Sequence, residues 1–473
     1  MTERWASRAG FLLATVGAAV GLGNVWRFSA VVGTNGGGAY LVPYLLAAFC
    51  CAIPMLVLEL AVGRELRTDV VSAFRSVRTG YAALGWLVVG GVLLVLSYYL
   101  VLTGWVLGFL VSWAGGSRTT FAAFTAGWLP VGYFVLATVL TAGIVSLGVR
   151  DGIERMSKVV MPTVFVVLVA LALYATTLPA WGRAVSFLVT PDPSVLTDAG
   201  LWSAAFGQVF FSLSVGQGIM LTYGSYVEEG TDLVRSALLI TVADVGAAVV
   251  AGLVIFPIVF SFGLRPTLGT ELAFTTLPAA FGTMPFGRVV AVAFFGLLFL
   301  AALSSAVALL EVGVAAAATT TRLGRRRATL ALAGGVFAAG LPSALSYSPA
   351  RLALAGRPVL DLVDESVGTF ALPVSALCIV FAFVWRVDLG DVHRDLGALY
   401  PLVRYVVPVV LVVVTAAGAL GVARPVWRLL LGSARDGGAD LLVTLLVLLA
   451  FAAVGWRYRD RIPRPARSRR KSR

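Results

Sequence analysis

The sequence predicts an all-α, polytopic membrane fold: twelve transmembrane helices, the first ten forming a 5+5 inverted repeat with broken helices 1 and 6. Three observations carry this prediction. The 473 residues are 59% hydrophobic and only 12% charged, with mean hydropathy +0.94; a soluble protein carries about 25% charged residues. Twelve apolar stretches each exceed the roughly 17 residues that a spanning helix needs. The first and sixth of them carry glycine clusters beside Asn, Ser and Gln.

The stretches run 10–33, 40–63, 84–113, 122–147, 159–178, 202–226, 236–262, 285–318, 328–345, 362–385, 402–421 and 438–456. Span 1 holds Gly17-Ala18-Ala19-Val20-Gly21-Leu22-Gly23-Asn24-Val25-Trp26-Arg27. Glycine inside a helix costs about 1 kcal/mol against Ala, so this cluster marks a helix that unwinds. The span has no small-residue cleavage site followed by a soluble domain, and is expected to be retained. Span 6 holds the second cluster, Phe210-Phe211-Ser212-Leu213-Ser214-Val215-Gly216-Gln217-Gly218. Unwound backbone at membrane depth is tolerated only where protein or a water-filled cavity surrounds it. Five spans is an odd number, so the two halves are inverted in the membrane. Matched breaks in two such halves point to a binding site of a membrane carrier. The chain reads as one transmembrane domain: repeats 1–180 and 200–386, accessory helices 402–456, and a basic tail 457–473. The polar connections 179–201 and 263–284 are expected outside, and 386–401 inside.

The net charge of +13 is placed asymmetrically. Arg64, Arg67, Arg75 and Arg78 share one loop, Arg325-Arg326-Arg327 another, and the tail is rich in Arg. With both termini cytoplasmic, most Lys and Arg fall inside, as the positive-inside bias requires. This predicts a multi-pass plasma-membrane protein whose tail lies against anionic lipid headgroups. No nucleic-acid role is implied.

Ionisable residues inside spans are few and costly. Arg27, Glu59, Asp244, Glu311 and Asp364 stand out. Cys50, Cys51 and Cys378 all fall in apolar spans and read as small buried hydrophobes. The lone His393 sits in a loop between charged neighbours. Without a Cys/His cluster there is no support for metal-hydrolase chemistry, and no catalytic residue or organic cofactor is expected.

Several short motifs recur in one order: Trp5-Ala6-Ser7-Arg8, Gly17 to Phe28, Asn35-Gly36-Gly37-Gly38-Ala39-Tyr40, Tyr98-Tyr99, Gly152-Ile153-Glu154 with Lys158 and Pro162, Gln208 to Gly218, Thr222-Tyr223-Gly224-Ser225-Tyr226, Leu303-Ser304-Ser305, and Asp361 to Asp364. This set resembles the neurotransmitter:sodium symporter family, whose structural prototype is a bacterial leucine transporter. The resemblance runs from Trp5 to about residue 386.

The resemblance implies a sodium-coupled symporter of amino acids or related zwitterions, working by alternating access, with two sodium sites. Site 1 would use Ala19, Asn24, Ser212 and Asp244 with the substrate carboxylate. Site 2 would use carbonyls of Gly17, Val20 and Ala301 with the hydroxyls of Ser304 and Ser305. The substrate carboxylate would meet the amides of Leu22 and Gly23, at the positive end of a half-helix, and the Tyr99 hydroxyl. Carbonyls near Ala19, Phe211 and Ser214 would hold the amine. Val95, Phe211, Ser214, Gln217 and Leu309 would line the side-chain pocket. Gln217 stands where the prototype has an aromatic ring; its amide either caps the unwound backbone or meets a polar substrate. Arg27 and Asp364 match the family's outer gate. Rival readings are a proton-coupled carrier on the same fold and a substrate sensor that does not transport.

Two departures from the family pattern carry expectations. The inner-gate Arg and Asp align with Thr2 and Thr319, so both partners are missing together. This predicts a weak inner ionic lock and a larger inward-open population, with Arg4 or Arg8 and Tyr226 as partial substitutes. Chloride-dependent members carry Asn at Asp244 and Ser one turn later; here Ala248 follows, which predicts chloride independence.

Overall fold

The computed structural model describes residues 3–264, 271–321, 323–354, 356–387 and 389–416. Span 12, the end of span 11, the basic tail and Thr2 lie outside the described residues.

Each described span is helical, because a helix satisfies its backbone N–H and C=O groups internally where lipid offers no partners. Helix α1 (Arg8–Ala19) starts at Ser7, whose hydroxyl accepts from the Gly10 amide at 3.0 Å. Such a cap is worth about 1 kcal/mol. The chain leaves helical geometry at Val20 (ψ 102°) and resumes as α2 (Gly23–Thr34), bent by 50°. Then follow α3 (Gly38–Leu66), the short α4 (Val70–Val77) and α5 (Thr79–Ala114). After α6 (Phe121–Thr125) come α7 (Leu129–Ser146), α8 (Val149–Ala175) and α9 (Trp181–Val189).

The second half repeats the break. Helix α10 (Ala199–Ser212) ends, and six residues separate it from α11 (Ile219–Gly224). Between them Ser214, Gly216 and Gly218 have φ of 53°, 80° and 70°. Glycine accepts those values freely, whereas Ser214 stores strain of order 1–3 kcal/mol. The Gly216 amide is satisfied by Glu59 Oε1 on α3, at 2.6 Å. The chain continues through α12 (Leu233–Ser261), α13 (Leu272–Thr283), α14 (Gly287–Thr320) and α15 (Arg325–Ser346). A two-stranded hairpin at 353–358 precedes α16 (Val359–Trp385), α17 (Gly390–Leu399) and α18 (Leu402–Ala416).

The broken pairs α1/α2 and α10/α11 correspond to spans 1 and 6. The eight other helices long and apolar enough to cross a membrane match spans 2–5 and 7–10. Two boundaries move. Span 4 begins at Leu129 rather than 122, because a separate short helix ends at Thr125. Span 5 begins at Val149 rather than 159: the charged stretch Arg150 to Glu154 is already helical. The polar connections also hold structure, since α9, α13 and α17 lie within them.

Helix α5 is the centre of the bundle and packs against α4, α7, α14, α15 and α16. Helices α3 and α11 meet where side chains are absent. A Cβ on Gly63 would overlap the Leu221 carbonyl, and one on Gly224 would overlap the Leu60 carbonyl. That close approach holds α11 beside α3 and Glu59 beneath the second break.

Candidate substrate and sodium sites

The two breaks and α5 enclose a cavity lined by Ala19, Gly23, Val95, Tyr99, Phe211, Ser212, Ser214, Gln217, Ser305 and Leu309. All ten were among the expected site residues. Ala18 and Gly21 also line it, and sequence reasoning missed both. They contribute by what they lack: a Cβ on Gly21 would come within 2.6 Å of Ser305 Oγ and 2.9 Å of Tyr99 Oη. The free space is small, ≈ 30 Å³, so the walls must part before an amino acid could enter. Leu22 does not line the cavity; its amide donates to Tyr99 Oη at 3.4 Å. Ser214 Oγ donates to the Ala18 carbonyl at 3.0 Å, tying the two breaks together. Gln217 is buried and makes no hydrogen bond to another described residue. It does not cap the backbone of its own break, and its amide is left for the cavity.

Asn24, Ser212 and Asp244 converge at one edge. Asn24 Nδ2 donates to Asp244 Oδ1 at 2.6 Å and to the Asp244 carbonyl at 3.1 Å. Ser212 Oγ donates to Asp244 Oδ1 and Oδ2 at 3.0 and 3.1 Å. Asn24 Oδ1 in turn accepts from the Gly21 amide at 2.9 Å. Tyr44 on α3, absent from the sequence-based set, lies against Ser212 and Asp244. Asp244 is fully buried, and none of the ion pairs among the described residues involves it. A buried carboxylate without a paired cation is costly even when hydrogen-bonded, so this one invites a cation.

The second set also comes together. Ser304 Oγ lies 2.8 Å from both the Gly17 and the Ala301 carbonyls, and Ser305 Oγ lies 3.3 Å from each. Val20 is the residue at which α1 ends. Each hydroxyl has two acceptor lone pairs besides its proton. Rotation would turn these four groups into an all-oxygen cluster suited to a hard monovalent ion.

The two ends of the bundle differ. At one, Arg27 lies over the Phe211 ring, 4.3 Å from its centroid. It forms no ion pair within 4.0 Å with Asp364; Tyr98 sits in the field of both. At the other, Trp5 is buried against α11. Its backbone amide donates to the Tyr226 carbonyl (3.3 Å) and its indole Nε1 to the Tyr223 carbonyl (3.1 Å). Ala6 N and Ser7 Oγ donate to Glu154 at 2.6 and 2.8 Å. The expected substitutes at this end are only partly found. Tyr226 participates, donating to Glu311 Oε1 at 2.8 Å. Arg4 and Arg8 form no ion pair among the described residues. Instead Arg325 binds Glu311 at 2.5 Å and Glu3 at 3.3 Å. Thr319 is exposed and bonds only the Ala315 carbonyl of its own helix, at 2.9 Å. The weak ionic lock expected from Thr2 and Thr319 therefore meets an ion-paired end built from other residues.

The profile of the Sodium:neurotransmitter symporter family matches residues 2–117 and 129–422. A sodium-dependent transporter of Bacillus subtilis, YhdH, is 33% identical over 435 residues, covering 87% of this chain and 96% of that protein. A sodium-dependent transporter of Methanocaldococcus jannaschii is 33% identical over 419 residues, 83% of each chain. Among solved structures, MhsT in complex with L-phenylalanine superposes with a TM-score of 0.81 at 37% identity, covering 88% of this chain and 99% of that one. The chain belongs to the sodium:neurotransmitter symporter family of membrane transporters.

Proposed function

We propose that this protein is a sodium-coupled, chloride-independent symporter that carries neutral α-amino acids inward across the plasma membrane by alternating access. The observation that carries the reading is Asp244, a fully buried carboxylate beside the cavity with no cationic side chain paired to it among the described residues. A co-transported cation offsets the several kcal/mol that such burial costs. Asn24, Ser212, Asp244 and the backbone at Ala19 supply oxygens for one sodium ion, which the substrate carboxylate completes. Gly17, Val20, Ala301, Ser304 and Ser305 supply an uncharged set for a second. Because ion and substrate share ligands, each raises the affinity for the other. Asp244 brings its own negative charge, and Ala248 offers no hydroxyl to an anion, which supports chloride independence.

The substrate class follows from the cavity. Tyr99 and the amides near Gly23 suit a carboxylate, and the carbonyls near Ala19, Phe211 and Ser214 suit an amine. Val95, Phe211 and Leu309 form an apolar wall, in keeping with the L-phenylalanine bound by MhsT. Gln217 adds one polar contact, so large neutral side chains with a hydrogen-bonding edge are favoured. Residues 1–180 and 200–386 act as the two inverted repeats, with both termini cytoplasmic. Arg27 and Asp364 then close the outer side over Phe211 once substrate is seated.

Proton coupling is the second reading, and Asp244 also favours it, because a buried carboxylate can take a proton in place of sodium. Uptake of a labelled amino-acid mixture into proteoliposomes separates the two. Sodium-driven accumulation with gluconate replacing chloride is the expected result. Accumulation that follows a proton gradient and ignores sodium would overturn the sodium assignment, and a strict chloride requirement would overturn that part alone.

A further inference from the structure

We propose that Glu3 is the cytoplasmic latch of this transporter, holding the N-terminal segment shut with a carboxylate, whereas the family pattern uses an arginine one residue earlier, at Thr2. Two elements receive it. Glu3 Oε1 pairs with Arg325, the first residue of α15, at 3.3 Å. Glu3 Oε2 accepts from the amide of Val149, the first residue of α8, at 3.3 Å. Its carboxylate also lies over Gly148, whose φ of 94° turns the chain into α8; a Cβ there would meet Glu3 Oε1 at 3.3 Å. One carboxylate thus sits at the N-terminus of α8 and pairs with a guanidinium carried by α15. The positive dipole end and the unpaired first-turn amides of α8 favour an anion at this place and disfavour a cation.

The rest of the network explains why the latch is directional. Arg325 is also bound to Glu311, which is fully buried on α14, and its Nε donates to the Val145 carbonyl at 3.0 Å. Tyr226 at the end of α11 donates to the same Glu311. Arg325 is therefore fixed from below, and Glu3 is the partly exposed end that can leave without stranding a buried charge. Two residues on, Trp5 lies edge-on to Tyr223 with ring centroids 5.1 Å apart. Release of Glu3 frees the segment that carries this plug. Glu3 and Arg325 line a second cavity at this end of the bundle, whose other charged groups are Arg4, Arg67 and Asp69. Arg67 pairs with Glu229 across the mouth, and Asp69 caps α4 through the Ser72 amide. Neither holds the N-terminal segment.

The test is amide hydrogen exchange of residues 3–10 in the full-length protein in lipid nanodiscs, a readout that does not depend on transport. A partly exposed ion pair is worth up to about 1 kcal/mol, or about fivefold in an opening equilibrium. Glu3→Gln should raise exchange of the segment by about three- to fivefold, and Arg4→Gln should leave it unchanged. Installing the family pair in the Glu3→Gln background, as Thr2→Arg with Thr319→Asp, should return exchange to the wild-type rate. Unchanged exchange in Glu3→Gln overturns the proposal. So does an equal rise in Arg4→Gln, which would assign the effect to net charge rather than to this carboxylate.

Discussion

The two ends of the pathway are closed by different physics. At the end we place outside, an aromatic ring and a guanidinium stack, and the carboxylate Asp364 stands apart from Arg27. At the end we place inside, Glu3, Arg325, Glu311 and Tyr226 form a continuous chain of charged and hydrogen-bonded groups, and Trp5 is buried beneath it. The outer end is held by contacts that a solvated vestibule can replace. The inner end includes a fully buried charge, which cannot be uncovered cheaply. The difference implies a transporter poised to load from outside, in contrast to the inward-open bias expected from Thr2 and Thr319 alone.

Four substitutions break or sharpen this contrast, the two at buried carboxylates having the largest expected effects. Asp244→Asn lies between the ends and should leave both as they are while weakening the sodium response. Hydrogen bonds and contacts to a charged group are worth about 1.5–3 kcal/mol, so half-saturation by sodium should rise about ten- to a hundredfold in tracer uptake. Glu311→Gln attacks the buried part of the inner network. Breaking a buried pair costs about 3–5 kcal/mol, which should appear as a lower melting temperature and faster exchange at α11 and residues 3–10 only. Arg27→Gln removes the stacked cation at the outer end, worth about 0.5–2 kcal/mol. Uptake should fall by about tenfold with inner exchange untouched; a change at the inner end would show that the two closures are not separable. Gln217→Leu should be mildest. It leaves both ends alone and shifts preference toward aliphatic amino acids by about three- to tenfold, measured by competition.

Much of the fold was legible because a bilayer enforces it. Spans 1–10 announce themselves by length and hydropathy, and glycine marks both breaks: Gly216 and Gly218 adopt backbone angles that other residues resist, and Gly21 leaves room for Ser305 and Tyr99. The start of α8 was not legible: Arg150, Asp151 and Glu154 look like a loop, but Glu154 is buried by Lys158, Ser7 and the Ala6 amide. The short α4, α9 and α13 hide in connections too brief for hydropathy to mark. At the site, polar residues with a chemical role could be matched by motif. Ala18 and Gly21 could not, because they shape the cavity by being small. The Glu3–Arg325 contact joins opposite halves of the chain and leaves no local pattern in the sequence. An ordinary acidic residue near a terminus acquires meaning only when folding sets it between a helix N-terminus and a distant arginine.

The contrast between the ends is tested most directly by amide hydrogen exchange of the full-length protein in lipid nanodiscs, with sodium present and with potassium in its place. Residues 3–10 and α11 should be the more protected end in both conditions, while residues 27–35 and 359–366 exchange faster and gain protection only when sodium and substrate are added together. A more protected outer end in potassium, with the inner segment exchanging freely, would contradict the account.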